Sequence, residues 1–174
     1  MEIHFVRHIE TSAEKGICYG QLDVGIPDDY KAHHEQIINS LENNYDLVFS
    51  SPLKRCKLLA EQISENVNFD DRLMEISFGD WEGKKWDDIN QMDLSNWMEN
   101  YITIAPPRGE SLIDLVDRVS AFLNELKKQN FTKVLIITHA GIIRCAMNVL
   151  NSVPLEKIMF ENVEYGEIIK FKSY

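Results

Sequence analysis

Lys133 to Arg144 reads KVLIITHAGIIR. The first six residues, Lys133 to Thr138, are almost wholly β-branched or aliphatic, which predicts a central strand covered on both faces. The run stops at Thr138-His139, and a helix is expected to follow Gly141 and reach about Leu150. A buried strand that ends in a titratable ring and turns into a helix belongs to an α/β layer fold.

The flanking chain agrees. Ile3 to Val6 and Asp46 to Ser50 (DLVFS) read as strands, and Glu167 to Phe171 (EIIKF) as a late strand nearer an edge. Helices are predicted over Lys31 to Leu41, Pro52 to Glu65 and Leu112 to Lys128. Ser51 is a natural N-cap with Pro52 at the first helical position, and Cys56, Leu59, Ala60 and Ile63 form that helix's apolar face. Ser111 and Asp114 resemble a capping box, with Asp in place of Glu. Leu112, Leu115, Val116, Val119, Phe122, Leu123 and Leu126 make the buried stripe of the helix they open. Strands alternating with helices predict a mostly parallel central sheet with helices on both faces, a three-layer α/β sandwich.

The chain has 174 residues, 44% apolar, with no repeat, low-complexity tract or Gly/Ser linker, so one domain over 1–174 is expected. A net charge of −10 argues against nucleic acid and anionic membrane surfaces as partners. An anionic substrate must be attracted by local cations, because the mean field opposes it. Cys18, Cys56 and Cys145 are odd in number and lack a C-x-x-C pairing, which reads as reduced thiols. Glu2 and Arg7 within the first apolar run speak against a signal peptide, and no window approaches about 18 apolar residues. A cytoplasmic protein is expected.

In a parallel sheet the functional crevice lies beyond the carboxyl ends of the strands. Here the first strand ends in Arg7-His8, the third in Thr138-His139, and the second in Ser50-Ser51 with Arg55 in the following helical turn. Any one of these cations, alone, reads as a surface side chain. Together they place two histidines and two arginines on one edge. Arginine forks match phosphate oxygens, helix N-termini add N–H donors, and a neutral imidazole attacks phosphorus. One histidine would be the nucleophile while the other, with the arginines, carries the charge of the transferring phosphoryl.

A leaving alkoxide needs a proton donor. Leu73 to Gly83, LMEISFGDWEG, offers Glu75, Asp80 and Glu82. His33 and His34 lie on a polar helix and read as solvated, and alternation places His4 on the opposite side of the first strand from Ile3 and Phe5. No ligand spacing points to a metal. Trp81, Trp86 and Trp97 read as packing residues, some of them able to line a substrate cleft.

These stretches resemble the histidine phosphatase, or phosphoglycerate-mutase-like, superfamily. The resemblance rests on VRHIET (Val6 to Thr11), SSPLKRC (Ser50 to Cys56), EISFGDWEG (Glu75 to Gly83), RGESL (Arg108 to Leu112) and THAGIIR (Thr138 to Arg144), in that order along nearly the whole chain. ICYGQLDVGI, Ile17 to Ile26, is similar to the α-ribazole phosphatase branch, which acts in assembling the nucleotide loop of cobalamin. The resemblance implies a metal- and cofactor-free phosphatase acting on a small phosphorylated metabolite, α-ribazole 5′-phosphate first among them. His8 would be phosphorylated. Arg7, Arg55 and His139 would hold the phosphoryl oxygens, and Glu75 would protonate the leaving oxygen and then deprotonate water. The N–H of Ala140 would touch phosphate, Tyr19, Gly20 and Gln21 would sit near the substrate, and the turn of Gly109, Glu110 and Ser111 would face the same mouth. Three positions depart from the common pattern. Ile9 replaces the Gly after the nucleophile, Glu14 stands where many members have a phosphate-contacting Asn, and Arg108 stands where the branch often has Gly. A mutase is the rival within the superfamily, disfavoured by the short chain. A phospho-ligand binding module is the rival outside it, disfavoured because binding alone needs no acid poised at a leaving group.

Overall fold

The computed structural model describes residues 1–172. Lys133–Thr138 is the middle strand, β4, of a five-stranded sheet ordered β3-β2-β4-β1-β5. It pairs in parallel with β1 (Glu2–Arg7) on one side and β2 (Leu47–Ser50) on the other. β3 (Val67–Phe69) continues the parallel set beyond β2, and β5 (Ile168–Lys172) runs antiparallel along β1. The sheet is therefore mostly parallel, as expected, with an antiparallel edge strand.

Val134, Leu135, Ile136 and Ile137 are all fully buried. Alternation divides them between two layers. Val134 and Ile136, with Ile3 and Phe5 of β1, pack under α4 (Leu112–Leu126) and α5 (Ala140–Asn151). Leu135 and Ile137, with Val6 and Val48, pack under α1 (Tyr30–Ser40) and α2 (Lys54–Ile63). Burying each such aliphatic side chain contributes about 1.5–3 kcal/mol, so a strand covered on both faces anchors both layers. Of two further helices, α3 (Gln91–Asn100) lies outside these two clusters, and α6 (Leu155–Ile158) adds its buried Ile158 to the α4–α5 layer. No helix among the described residues is long and apolar enough to cross a membrane.

Local chemistry explains the element ends. The Ser111–Asp114 capping box forms in full and fixes the start of α4. α2 begins at Lys54, two residues later than Pro52, because Ser51 does not cap it. The Ser51 hydroxyl instead accepts from the Leu53 N–H at 3.3 Å and lies 2.8 Å from His139 Nε2. α5 starts at Ala140, with His139 as its N-cap residue.

His34 is not solvated. It is fully buried, meets the Tyr30 ring edge-on and accepts a hydrogen bond at Nδ1 from Gln62 Nε2 at 2.9 Å. Its neighbour His33 stays at the surface, facing Asp29. His4 shares the side of Val6, yet is also buried, with Nδ1 on the Tyr45 phenol and Nε2 on Glu2.

Candidate active site

Parallel register brings the two histidines together. Arg7 stands opposite Thr138 in the β1–β4 pairing, so the next residues, His8 and His139, leave the sheet side by side. The His8 N–H donates to the Thr138 carbonyl at 3.0 Å, and the two rings lie 5.0 Å apart in edge-to-face contact. Ser51 joins them from β2, its N–H donating to the Ile137 carbonyl at 3.0 Å.

Hydrogen bonds settle both tautomers. The Ile9 carbonyl can only accept, so His8 Nδ1, at 2.6 Å, carries the proton and Nε2 keeps its lone pair. Arg55 Nε can only donate, so His139 Nδ1, at 3.3 Å, accepts and Nε2–H donates to Ser51 Oγ at 2.8 Å. Burial, and then the Arg55 charge, push His8 down to about 3, so it is neutral at physiological pH. Burial, followed by His8 and Arg55, holds His139 well below the usual imidazole range. The result is an uncharged imidazole with a free lone pair beside a guanidinium.

Arg55 is 1% exposed. Its two terminal nitrogens donate to the carbonyls of Leu22 at 3.0 Å and Gly20 at 2.5 Å. Gly20 has to be glycine, because a Cβ there would overlap the Ile76 carbonyl. Tyr19 sets its ring 5.5 Å from the Arg55 guanidinium, and Gln21 Nε2 donates to the Glu75 carbonyl at 3.1 Å. The 19–21 stretch thus meets the histidine edge. Arg7 donates through Nη1 to the Val163 carbonyl at 2.6 Å and stacks on Tyr165, its Cζ 3.6 Å from the ring centre.

Glu75 reaches this edge from the loop after β3. One oxygen accepts from the Ile76 N–H at 2.9 Å and the other from the Gly141 N–H, at the start of α5, at 3.2 Å. A Cβ at position 141 would overlap the Glu75 carboxylate, which is why that helical position lacks one. Glu75 borders a cavity of about 150 Å³ whose walls include Tyr19, Phe78, Trp97, Tyr101 and Arg144. The same Trp97 packs with Trp81 and Trp86 in a separate aromatic cluster.

Two candidate residues have other work. Glu110 accepts from Arg118 at 2.9 and 2.8 Å and from the Ser77 N–H at 2.9 Å. Ser111 is 4% exposed and committed to its capping box. Neither presents a free group to the mouth: Glu110 braces the loop that carries Glu75, and Ser111 caps α4. Arg118, which sequence reasoning missed, is the centre of that support. It also donates to the carbonyls of Arg72 at 2.8 Å, Met74 at 2.7 Å and Glu75 at 3.3 Å. Its signal was available: a cation three residues after Leu115 and four before Phe122, bordering an apolar stripe. Glu82 was also read only as a spare acid. It accepts from the N–H groups of Gln21, Leu22 and Phe78 and so joins the two loops. Asp80 pairs with Arg108, which sits at φ +60°, in the conformation that favours glycine. Glu14 pairs with Lys85 at the surface.

Away from this edge, Glu2, His4 and Glu42 bring their ligand atoms within 4.8 Å of one another. Those carboxylates already have partners, Glu2 in its hydrogen bond with His4 and Glu42 in its ion pairs with Lys133 and Lys170.

A neutral imidazole, two arginines, a helix N-terminus and a carboxylate on one parallel-sheet edge have the chemistry of phosphoryl transfer. The chain belongs to the histidine phosphatase superfamily, branch 1, whose model matches residues 3–173. It is 29% identical to phosphoserine phosphatase 1 of Hydrogenobacter thermophilus over 97% of this chain and 86% of that one. It is 26% identical to the adenosylcobalamin/α-ribazole phosphatase of Escherichia coli K12 over 95% of this chain and 87% of that one. The solved α-ribazole phosphatase of Shigella flexneri superposes with a TM-score of 0.89 at 26% identity, over 98% of this chain and 89% of that one. The chain is accordingly a phosphatase of that superfamily.

Proposed function

We propose that the chain hydrolyses phosphomonoesters through phospho-His8, without a metal. The observation that carries this is the His8 tautomer: Nδ1–H is fixed on the Ile9 carbonyl, which leaves Nε2 unprotonated among Arg7, Arg55 and His139. In the first step the Nε2 lone pair forms a bond to phosphorus. The ester P–O bond breaks, and Glu75 gives its proton to the leaving oxygen. In the second step water attacks phosphorus, Glu75 takes the water proton, and the N–P bond breaks to release phosphate and neutral His8. Arg7, Arg55, the His139 Nε2–H and the N-terminus of α5 at Ala140 offset the phosphoryl charge, the part a metal plays in other enzymes.

The alcohol would occupy the cavity beside Glu75. Its aromatic walls suit a ring-bearing alcohol, and with the CYGQ stretch they support α-ribazole 5′-phosphate as substrate. Arg144 favours a second reading. It is a half-buried cation on the same wall, donating through Nε to the Glu161 carbonyl, and it suits a carboxylate-bearing ester such as phosphoserine.

Acid-labile, base-stable phosphoprotein should accumulate on rapid quenching with p-nitrophenyl phosphate in EDTA, and should be absent in His8→Ala. Loss of turnover on chelation, or labelling that survives His8→Ala, would overturn the mechanism. Glu75→Gln should lose at least about tenfold more activity on alkyl than on aryl phosphates, whose leaving groups need little acid help. A panel of α-ribazole 5′-phosphate, phosphoserine and 3-phosphoglycerate decides the alcohol.

A further inference from the structure

The segment Val163–Glu167 holds Arg7 through its backbone, one terminal nitrogen and the face of its guanidinium. The Arg7 N–H donates to the Glu167 carbonyl at 3.1 Å, and the Gly166 N–H donates to the carbonyls of Arg7 at 3.1 Å and His8 at 3.3 Å. The Val163 carbonyl takes Nη1 at 2.6 Å, and the Tyr165 ring lies face-on to the guanidinium at 3.6 Å. Arg7 Nε is buried without a hydrogen-bond partner among the described residues. A buried guanidinium N–H is costly to leave unsatisfied, so the site is built to receive an acceptor there. The Tyr165 ring also lies tilted beside the His8 ring, their centres 5.7 Å apart, and the residue is 39% exposed at the edge of a cleft of about 400 Å³.

We propose that Tyr165 is a positioning residue for phosphoryl binding: its ring, stacked on Arg7, holds the guanidinium so that Nε is presented to a phosphoryl oxygen. Arginine carries a long, rotamer-rich stem, and one hydrogen bond to Val163 fixes only one corner of its fork. The stacked ring fixes the plane. The inference rests on reading Arg7 as a phosphoryl ligand and needs no turnover to be tested.

Calorimetric titration with orthovanadate is the direct measurement. Tyr165→Leu should weaken vanadate binding about tenfold and raise KM for p-nitrophenyl phosphate by a similar factor, with a smaller change in kcat. Tyr165→Phe, which keeps the ring, should restore both. In an Arg7→Ala background, Tyr165→Leu should cause no further loss, because the partner through which it acts is gone. Tyr165→Gln provides the same comparison should the Leu variant lose its fold by circular dichroism. Unchanged vanadate affinity without the ring, or an equal loss with and without Arg7, would overturn the inference. A parent protein that binds vanadate in this pattern but hydrolyses no phosphoester would overturn the proposed function and leave this inference standing.

Discussion

Ile9 follows His8 directly, and the structure shows why a β-branched residue fits there. The position has no positive φ, so a β-branched side chain is tolerated. That side chain is 5% exposed, packed with Val6 and Ile37, while its carbonyl holds the His8 proton. One residue thus seals the core and sets the His8 tautomer. The same burial makes stability depend on pH. His8 titrates at about 3 in the folded protein and near 6.5 when unfolded, so between those values the unfolded chain takes up a proton that the folded chain refuses. Stability from this group is complete above pH 6.5 and lost as pH falls toward 3. At pH 5, above the carboxylate range, the loss is about 2 kcal/mol for His8. Thermal unfolding midpoints followed from pH 7 to 5 should fall, and should fall less in His8→Asn; parallel slopes would show that His8 is not the source.

Among the elements, the start of α5 does two things at once. His139 follows β4 and caps the helix, and Gly141 yields the space that the Glu75 carboxylate fills. Glu75 is held from behind as well: Thr138 Oγ1 donates to the Leu73 carbonyl at 2.7 Å, and Arg118 of α4 grips three carbonyls of the same loop. Gly141→Ala separates the two duties. In a helix Ala is favoured over Gly by about 1 kcal/mol, and the obstructing atom is the end of a movable side chain. The variant should fold at least as stably as the parent by thermal melting. It should lose activity on alkyl phosphates in the pattern of Glu75→Gln, because its new methyl displaces the acid. A variant that melts higher and keeps full alkyl phosphatase activity would mean that Glu75 works from some other position.

For the whole molecule, the sheet order decides the site. β4 is inserted between β2 and β1, so chain ends far apart in sequence share one crevice. The molecule around that crevice carries a net charge of −10, which repels a phosphoester dianion at long range, while the site's arginines act at short range from within the protein. Salt screens the exposed charges more than the buried ones. kcat/KM for a dianionic substrate should therefore rise, by about twofold, between about 10 and 150 mM sodium chloride. A steep fall would mean that the local cations dominate the approach as well as the binding.

Local pattern determined much of this protein. The aliphatic run Val134 to Ile137, the capping box at Ser111 and the apolar stripe of α4 are each written within a few residues, and each appears as read except that Val116 of the stripe is only partly buried. The cationic strand ends were legible for the same reason. Short or unpatterned pieces were not: β3 is three residues long and α3 has no fully buried side chain, only Leu94 and Trp97 partly packed, so neither carries a periodic signal. Only the tertiary structure decided that His34 is buried, that Ser51 serves His139 rather than a helix cap, and that Glu110 braces a loop. Those outcomes depend on hydrogen bonds such as Ser51 to His139 and Arg118 to Glu75, between residues that packing alone makes neighbours.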